Sequence, residues 1–172
     1  MSLKKLLIFV EGVHDERFFD KIIKPEIKDN YDEIKCIKYA RNPKKIFKNY
    51  LNSIKAINAN YLFIQDINSV PCVTLKKEKI ADKFNNIDKN RIVIVIKEIE
   101  SWYLSGLTDN DSKKFTKRKF RNTDNITKEI FNNLIPQNDS RINFMIEILK
   151  CFSIDIARKK NKSFKYFAEK YM

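Results

Sequence analysis

The first strand-to-helix junction constrains this chain more than any other stretch. The consecutive apolar residues from Leu6 to Val10 favour a strand that is buried on both faces, and the apolar spacing after Gly12 is helical. The sequence therefore predicts a strand that passes into a helix through a tight turn, with Glu11 at the strand end and Asp15 in the first helical turn. Because the chain has only two glycines, we expect Gly12 to meet a backbone demand that a side chain would obstruct.

Three more apolar runs alternate with helical segments along the chain. The runs at residues 34–39, 61–64 and 92–96 are typical of β-strands, and the last is a run of β-branched residues. We expect Pro25 to end the first helix, a second helix to open at Pro43, and a Lys-rich helix to follow a turn at Pro71. Strands that alternate with helices form parallel sheets, so the sequence predicts an α/β domain.

Acidic residues stand where three of the predicted strands stop. Glu11 follows the first strand, Asp66 follows the third, and Glu98 and Glu100 follow the fourth. Because parallel strands all end along one edge of the sheet, we expect these carboxylates to converge there. Two carboxylates about 4 Å apart repel by about 4 kcal/mol at an effective dielectric of 20, so a cation is expected between them. Oxygen donors without a histidine pair favour Mg²⁺ or Mn²⁺.

The apolar strand, the Glu-Gly-x-x-Asp sequence and the amphipathic helix together resemble the first motif of the Toprim domain. That domain is the metal-binding catalytic module of topoisomerases, primases and several nucleases. Glu11, Gly12 and Asp15 match the motif, and Asp66-Ile67-Asn68 takes the place of the Asp-x-Asp that follows a later strand. Asn68 departs from this pattern, because it offers a carbonyl oxygen in place of a charge.

A later segment adds to this resemblance. Glu98, Glu100 and residues 102–104 look like the Glu-x-x-x-Trp-Leu-type segment that follows the last strand in the stand-alone and overcoming-lysogenization-defect (OLD) branches of the Toprim superfamily. The resemblance covers about residues 4–106. It implies a Toprim-like, Rossmann-like fold with a mainly parallel four-stranded sheet, helices on both faces and a helical C-terminal extension. Residues 1–107 would form the core, and residues 108–172 would form an extension packed on it.

The resemblance also implies a mechanism, which is metal-assisted phosphoryl transfer on a phosphodiester. Glu11 would be either a metal ligand or the general acid or base, and Asp66 would share the catalytic role. The ions would be held by the acids and the amide of the motifs, namely Glu11, Asp15, Asp66, Asn68, Glu98 and Glu100. No tyrosine stands out as a topoisomerase nucleophile, so the sequence favours a Mg²⁺-dependent nuclease over a topoisomerase or a primase.

The charge of the chain favours nucleic acid as its partner. It has 35 Lys and Arg against 22 Asp and Glu, a formal net charge of +13. Two basic regions are candidate contacts for phosphate groups, one around the start of the second helix and one with interleaved aromatic residues. They comprise Arg41, Lys44 and Lys45, and then Lys117, Arg118 and Lys119. The alternative in each case is a solvated basic surface, with Phe115 and Phe120 in the core.

The rest of the chain indicates helices and an intracellular location. Residues 108–112 are interpreted as a polar linker that leads into the basic run at 113–121, and helices are expected to follow at 126–134, 141–152 and 163–171. Cys36, Cys72 and Cys151 are expected to be reduced core residues rather than a disulfide or zinc framework. Because no segment approaches the roughly 20 apolar residues of a membrane span, we expect a soluble, cytoplasmic protein.

Two other functions stay open at this point. The chain could be a non-catalytic module that binds nucleic acid or a protein partner on the same fold, with Asn68 as a sign of a weakened metal site. It could also be a phosphatase-like enzyme that acts on small phosphoesters.

Overall fold

The computed structural model describes residues 3–40, 43–84 and 87–172. The chain divides into two compact units, Met1–Ile94 and Val95–Met172, whereas the sequence predicts a division between residues 107 and 108. In the described residues, no helix has the length and apolar character needed to cross a membrane.

The first unit is built on a parallel sheet. The described residues form four strands, β1 (Lys5–Val10), β2 (Glu33–Lys38), β3 (Asn60–Asp66) and β4 (Ile92–Val95), of which the last ends at the division between the units. Their order in the sheet is β2-β1-β3-β4, and they all run in the same direction. The predicted α/β fold with a four-stranded parallel sheet is therefore confirmed.

Helices connect these strands. Between β1 and β2 lie α1 (Val13–Phe18) and α2 (Lys24–Ile27), joined by a π-helical turn at Phe19–Ile23. The connection from β2 to β3 contains α3 (Pro43–Ala56), and the connection from β3 to β4 contains α4 (Val73–Lys83).

The expectation that Pro25 ends the first helix is wrong. The N–H of Lys24 donates to the carbonyl of Phe19, five residues back, which is the hydrogen bond of a π-helical turn. Pro25 then lies in the first turn of α2, where a backbone N–H is not required. The helical path therefore continues beyond the proline to a 3₁₀ turn at Lys28–Asn30.

Side chains on both faces of the central strands are buried. On β1, Ile8 and Phe9 point to opposite faces and each has no exposed surface. The ring of Phe47 in α3 lies 4.9 Å from that of Phe9 and 5.3 Å from that of Phe63 in β3. These contacts pack α3 on one face of the sheet, and the burial of β1 on both faces confirms its predicted character.

The second unit is helical. Its helices in the described residues are α5 (Glu100–Ser105), α6 (Asp109–Thr116), α7 (Lys128–Asn132), α8 (Arg141–Lys150), α9 (Ile154–Lys160) and α10 (Lys162–Tyr171). Trp102 is fully buried, and its ring lies 5.2 Å from that of Phe164 and 5.3 Å from that of Phe167. This aromatic cluster joins α5 to α10 and places Trp102 in the core of the second unit.

The polar segment at residues 108–112 is not a linker, contrary to the sequence interpretation. It opens α6, with Thr108 as the N-cap residue whose hydroxyl oxygen accepts from the N–H of Asp111 at 3.0 Å. Asp109 and Asp111 lie in the first turn, where a carboxylate is favoured by the helix dipole. The acids and hydroxyls that suggested a linker are therefore helix-start signals.

The cysteines are free, as the sequence predicted, but they are not all core residues. Cys36 and Cys151 are half-buried, whereas Cys72 is exposed. Cys72 is the N-cap residue of α4, where its sulfur accepts from the N–H of Leu75 at 3.5 Å.

Candidate active site

Glu11 and Asp66 lie at the same end of neighbouring strands. Glu11 directly follows β1, and Asp66 is the last residue of β3. These strands pair in parallel, with Phe9 opposite Phe63. Continuing this register by two residues places Glu11 opposite Gln65, which directly precedes Asp66. In the sheet, β2 lies on one side of β1, and β3 lies on the other side. The strand order therefore reverses between β1 and β3. Open parallel sheets bind their ligands at such a point.

A buried tyrosine lies beside this pair of acids. Tyr39 follows β2 and is 3% exposed, and its hydroxyl donates to the carbonyl oxygen of Ile64 in β3 at 2.9 Å. Burial raises the pKa of Tyr39 well above its usual range, and the negative charges of Glu11, Asp15 and Asp66 raise this pKa further. Three carboxylates from two strand ends and one helix therefore act on a single phenol.

A lysine supplies positive charge to the same cluster. Lys76 in α4 is 7% exposed, and burial lowers its pKa, while the charges of Glu11 and Asp66 act in the opposite direction. Lys76 is therefore a member of the candidate site, together with the two carboxylates.

Sequence reasoning missed both Lys76 and Tyr39. The helical spacing that places Lys76 four residues before the buried Ile80 was a usable signal for an inward-facing cation. Tyr39 had no comparable signal, because its position follows from the register of β2 beside β1.

Asp15 stabilises the start of α1. It is 8% exposed, and its Oδ2 atom accepts from the N–H of Gly12 at 3.1 Å. This is an N-terminal cap, and it also explains why a carboxylate is placed in the first helical turn. A role for Asp15 in metal binding stays a prediction.

The expectation for Gly12 is wrong. Its backbone is extended, with φ −147° and ψ −169°, a conformation that any residue adopts. A methyl group added there would meet only the Oδ2 atom of Asp15, at an ordinary contact distance of 3.8 Å. Gly12 is therefore not required by the geometry of this turn.

Asn68 lies in the turn that follows β3. It has a left-handed backbone with φ 53°, which asparagine tolerates better than most residues, and its side chain is exposed. Its amide Nδ2 donates to the backbone carbonyl of Asp66 at 3.4 Å. The structure thus gives Asn68 a turn-forming role, and its predicted role as a metal ligand stays untested.

The two later glutamates have partners inside the second unit. The carboxylate of Glu98 accepts from the backbone N–H of Lys128 at the start of α7. The side chain of Glu100 is 5% exposed and pairs with the guanidinium of Arg141. Burial raises the pKa of Glu100, the charge of Glu98 adds to this effect, and Arg141 opposes it. These contacts are structural, and a metal-binding role for either glutamate stays a prediction.

The predicted phosphate contacts are exposed wherever the structure describes them. Arg41 and the side chain of Lys44 lie outside the described residues, and Lys45 is exposed on α3. Lys117 ends α6 with a left-handed backbone at φ 58°, and Lys119 pairs with Asp109 at 3.3 Å. Arg118, between them, is also exposed, so the whole run faces solvent.

The carboxylate oxygens of the candidate site suit a hard divalent ion, but the positive charge of Lys76 competes with such an ion. In the part of the chain that the structure describes, no group of three or more histidine, cysteine or acidic side chains has the arrangement of a metal site. The charges of Glu11, Asp15 and Asp66 nevertheless all raise the pKa of the same phenol, and carboxylate oxygens are the ligands that Mg²⁺ prefers. Lys76 contributes positive charge in the same place.

Comparison with protein-family models, curated proteins and solved structures gives no match to this chain.

Proposed function

We propose that this protein is a Toprim-like nuclease that cleaves phosphodiester bonds with the help of Mg²⁺ or Mn²⁺. The observation that carries the proposal is the position of Glu11 and Asp66 at the ends of neighbouring parallel strands, where the strand order reverses. The motif order in the sequence supports the same proposal, since the Glu-Gly-x-x-Asp segment precedes the Asp-x-Asn segment as in Toprim domains.

Glu11 and Asp66 would hold the ion, with Asp15 and Asn68 as the further ligands from the first unit that the Toprim resemblance implies. A divalent ion in such a site neutralises phosphoryl charge and lowers the pKa of bound water. Asp66 would serve as a ligand throughout, because its carboxylate lies at the strand end. Glu11 would accept the proton of the attacking water when it does not itself bind the ion.

Lys76 would act on the phosphate rather than on water. A buried ammonium group is a strong donor to a non-bridging phosphate oxygen. Because burial lowers its pKa, Lys76 could also give its proton to the leaving oxygen. In either role its charge would be most useful as negative charge builds on the leaving group.

The substrate class follows from charge rather than from the site itself. The net charge of +13 and the exposed Lys45, Lys117, Arg118 and Lys119 would favour a nucleic-acid polyanion. A cytoplasmic location and a protein partner that supplies specificity are further parts of the proposal.

One observation favours a second candidate, a non-catalytic module that binds nucleic acid or a protein partner. Lys76 already brings a positive charge to Glu11 and Asp66. A cluster that is neutralised in this way can be stable without a metal ion, and Asn68 further reduces its negative charge.

A cleavage assay tests the proposal. Purified protein is incubated with labelled single-stranded and double-stranded DNA and RNA, with Mg²⁺, Mn²⁺ or EDTA. Metal-dependent cleavage is expected, with loss of at least about a hundredfold in Asp66→Asn, and no loss in Asp82→Asn, which alters an exposed acid of α4. Binding that is equal in EDTA, with no cleavage in either metal, would support the non-catalytic module and reject the nuclease.

A further inference from the structure

A basic cleft opens on the second unit at the junction of α9 and α10. Its volume is ≈ 700 Å³. It is lined by five cationic side chains, which are Arg158, Lys159, Lys160, Lys162 and Lys165. Asp155 and Glu169 are the acidic residues among its lining, so positive charge prevails in the cleft.

Some of these cations are held in place and others are available to a ligand. Lys160 Nζ donates to the carbonyl oxygen of Leu107 at 2.8 Å, which fixes its ammonium group at one side of the cleft. Lys165 and Glu169 form an exposed ion pair at 3.8 Å, a distance and exposure at which such a pair contributes little. Lys159 and Lys162 are exposed, and neither forms an ion pair with any residue that the structure describes.

The backbone beneath the cleft is fixed by a buried polar network. Asn161 lies between α9 and α10 and is 1% exposed. Its Nδ2 atom donates to the hydroxyls of Ser101 at 3.3 Å and Thr123 at 3.1 Å. Its Oδ1 atom accepts from the hydroxyl of Ser163 at 2.8 Å and from the N–H of Phe164 at 2.9 Å. The hydrogen-bonding capacity of this amide is therefore filled.

This network gives the cleft a preformed shape. Ser163 also accepts from Trp102 Nε1 at 2.8 Å, which ties the network to the aromatic core of the unit. Lys160 and Lys162 flank Asn161 in the chain, so their backbone positions are set before any ligand arrives. Preorganisation of this kind reduces the ordering cost of binding.

We propose that this cleft binds the phosphodiester backbone of a nucleic acid. A concave basic channel on a rigid base suits a strand that can enter it, whereas a flat bilayer cannot reach its floor. The cleft residues are different from the basic residues that the sequence predicts as phosphate contacts. This inference rests on the proposed function only for what happens to a strand once it is bound.

Binding by the full-length protein in EDTA tests this inference without any chemistry. Fluorescence anisotropy is measured with labelled 20-nucleotide single strands and 20-base-pair duplexes over 50–300 mM KCl. The cleft variant is Lys159→Gln with Lys162→Gln. Its matched control, Lys128→Gln with Lys150→Gln, removes the same charge from exposed positions of the second unit that do not line the cleft.

The expected effect follows from counterion release. Each phosphate contact adds about 0.9 to the slope of log affinity against log salt on duplex DNA and about 0.7 on a single strand. If the counterion-release contribution is taken as zero at 1 M salt, each contact contributes about eightfold in affinity on a duplex at 0.1 M salt, so loss of two contacts should weaken duplex binding about sixtyfold. Its salt slope should fall by about 1.8 on a duplex and about 1.4 on a single strand, while the control should keep both affinity and slope.

Equal losses in the two double variants would overturn the inference, because they would indicate a delocalised charge effect. Absence of oligonucleotide binding in the wild-type protein would overturn it as well. It would also be overturned if the cleft variant lost binding to anionic phosphatidylserine vesicles but kept its oligonucleotide binding. Cleavage with Mn²⁺ is scored separately. A protein that binds through the cleft but never cuts would reject the proposed function and leave the cleft assignment standing.

Discussion

Replacement of Lys76 by methionine tests how charge is balanced in the candidate site. Methionine keeps most of the length and volume of the lysine side chain, so the buried position in α4 should stay filled. The change removes the positive charge that acts on Glu11 and Asp66. If these carboxylates form a metal site, the lysine competes with the ion, and its loss should strengthen metal binding.

The size of this effect can be worked out from simple electrostatics. At an assumed separation of about 6 Å, a unit charge and a divalent ion repel each other by about 1.4 kcal/mol at the dielectric constant of water. This repulsion corresponds to a tenfold change in affinity. Because Lys76 is only 7% exposed, the local dielectric is lower than that of water, which offsets screening by salt, so we expect an increase in affinity of about tenfold.

Isothermal titration calorimetry with Mn²⁺ at pH 7 measures this change. The control is Lys79→Met, which removes the same charge from an exposed position on the same helix. It should alter the affinity by less than about threefold, since solvent and salt screen an exposed charge. Mn²⁺ affinity that is unchanged or weaker in Lys76→Met would refute the reasoning, and it would place Lys76 outside the metal-binding charge cluster.

Two further predictions concern the second unit. Gly106→Ala should lower the free energy of unfolding by about 1–3 kcal/mol, because an added methyl carbon would lie 2.4 Å from the ring of Phe152. Glu100→Ala should lower it by about 2–4 kcal/mol, because Arg141, with a side chain that is 20% exposed, would lose its ion-pair partner in a mostly buried position. Urea denaturation followed by circular dichroism measures both.

Each of these variants has a matched control. Gly12→Ala adds the same methyl group where only Asp15 lies nearby, at 3.8 Å, so its cost should not exceed the roughly 1 kcal/mol of a weaker N-cap residue. Glu147→Ala breaks an ion pair with Lys150 in which both side chains are about half exposed, and it should cost less than about 1 kcal/mol. Equal losses within either pair of variants would contradict the packing or the burial argument that separates them.

The sheet could be predicted because its strands are marked by strong local patterns. The apolar runs of β1 and β4 have few alternatives, since β-branched and apolar residues over this length are buried as strands in a parallel sheet. Glu11 and Asp66 could be placed at strand ends for the same reason. Their proximity could then be predicted because the C-terminal ends of parallel strands lie along one edge of the sheet.

The rest of the candidate site depends on tertiary packing that no local pattern encodes. Lys76 looked like one more solvated lysine in a Lys-rich helix, and only its rotation relative to Ile80 distinguished it. Tyr39 depends on which strand pairs with which, a feature that is set by the whole sheet.

Local signals were also misread where one residue type serves two purposes. Pro25 can end a helix or stand in the first turn of one, and the preceding π-helical turn allowed the second outcome. Thr108 and the acids after it can form a linker or a helix start, and the hydrogen bond to the Thr108 hydroxyl oxygen shows the second. Which of the two structures forms depends on the residues that surround the ambiguous signal.

Mn²⁺ binding by the wild-type protein and by Glu11→Gln and Asp66→Asn tests the central claim most directly. Calorimetry should show binding in the wild type, loss of binding in both variants, and unchanged binding in Glu26→Gln, which alters an exposed acid of α2. That result would place two acids from different strands in one metal site. Absence of binding in the wild type, or equal binding in all four proteins, would contradict the account of the β1–β3 edge as a metal-dependent active site.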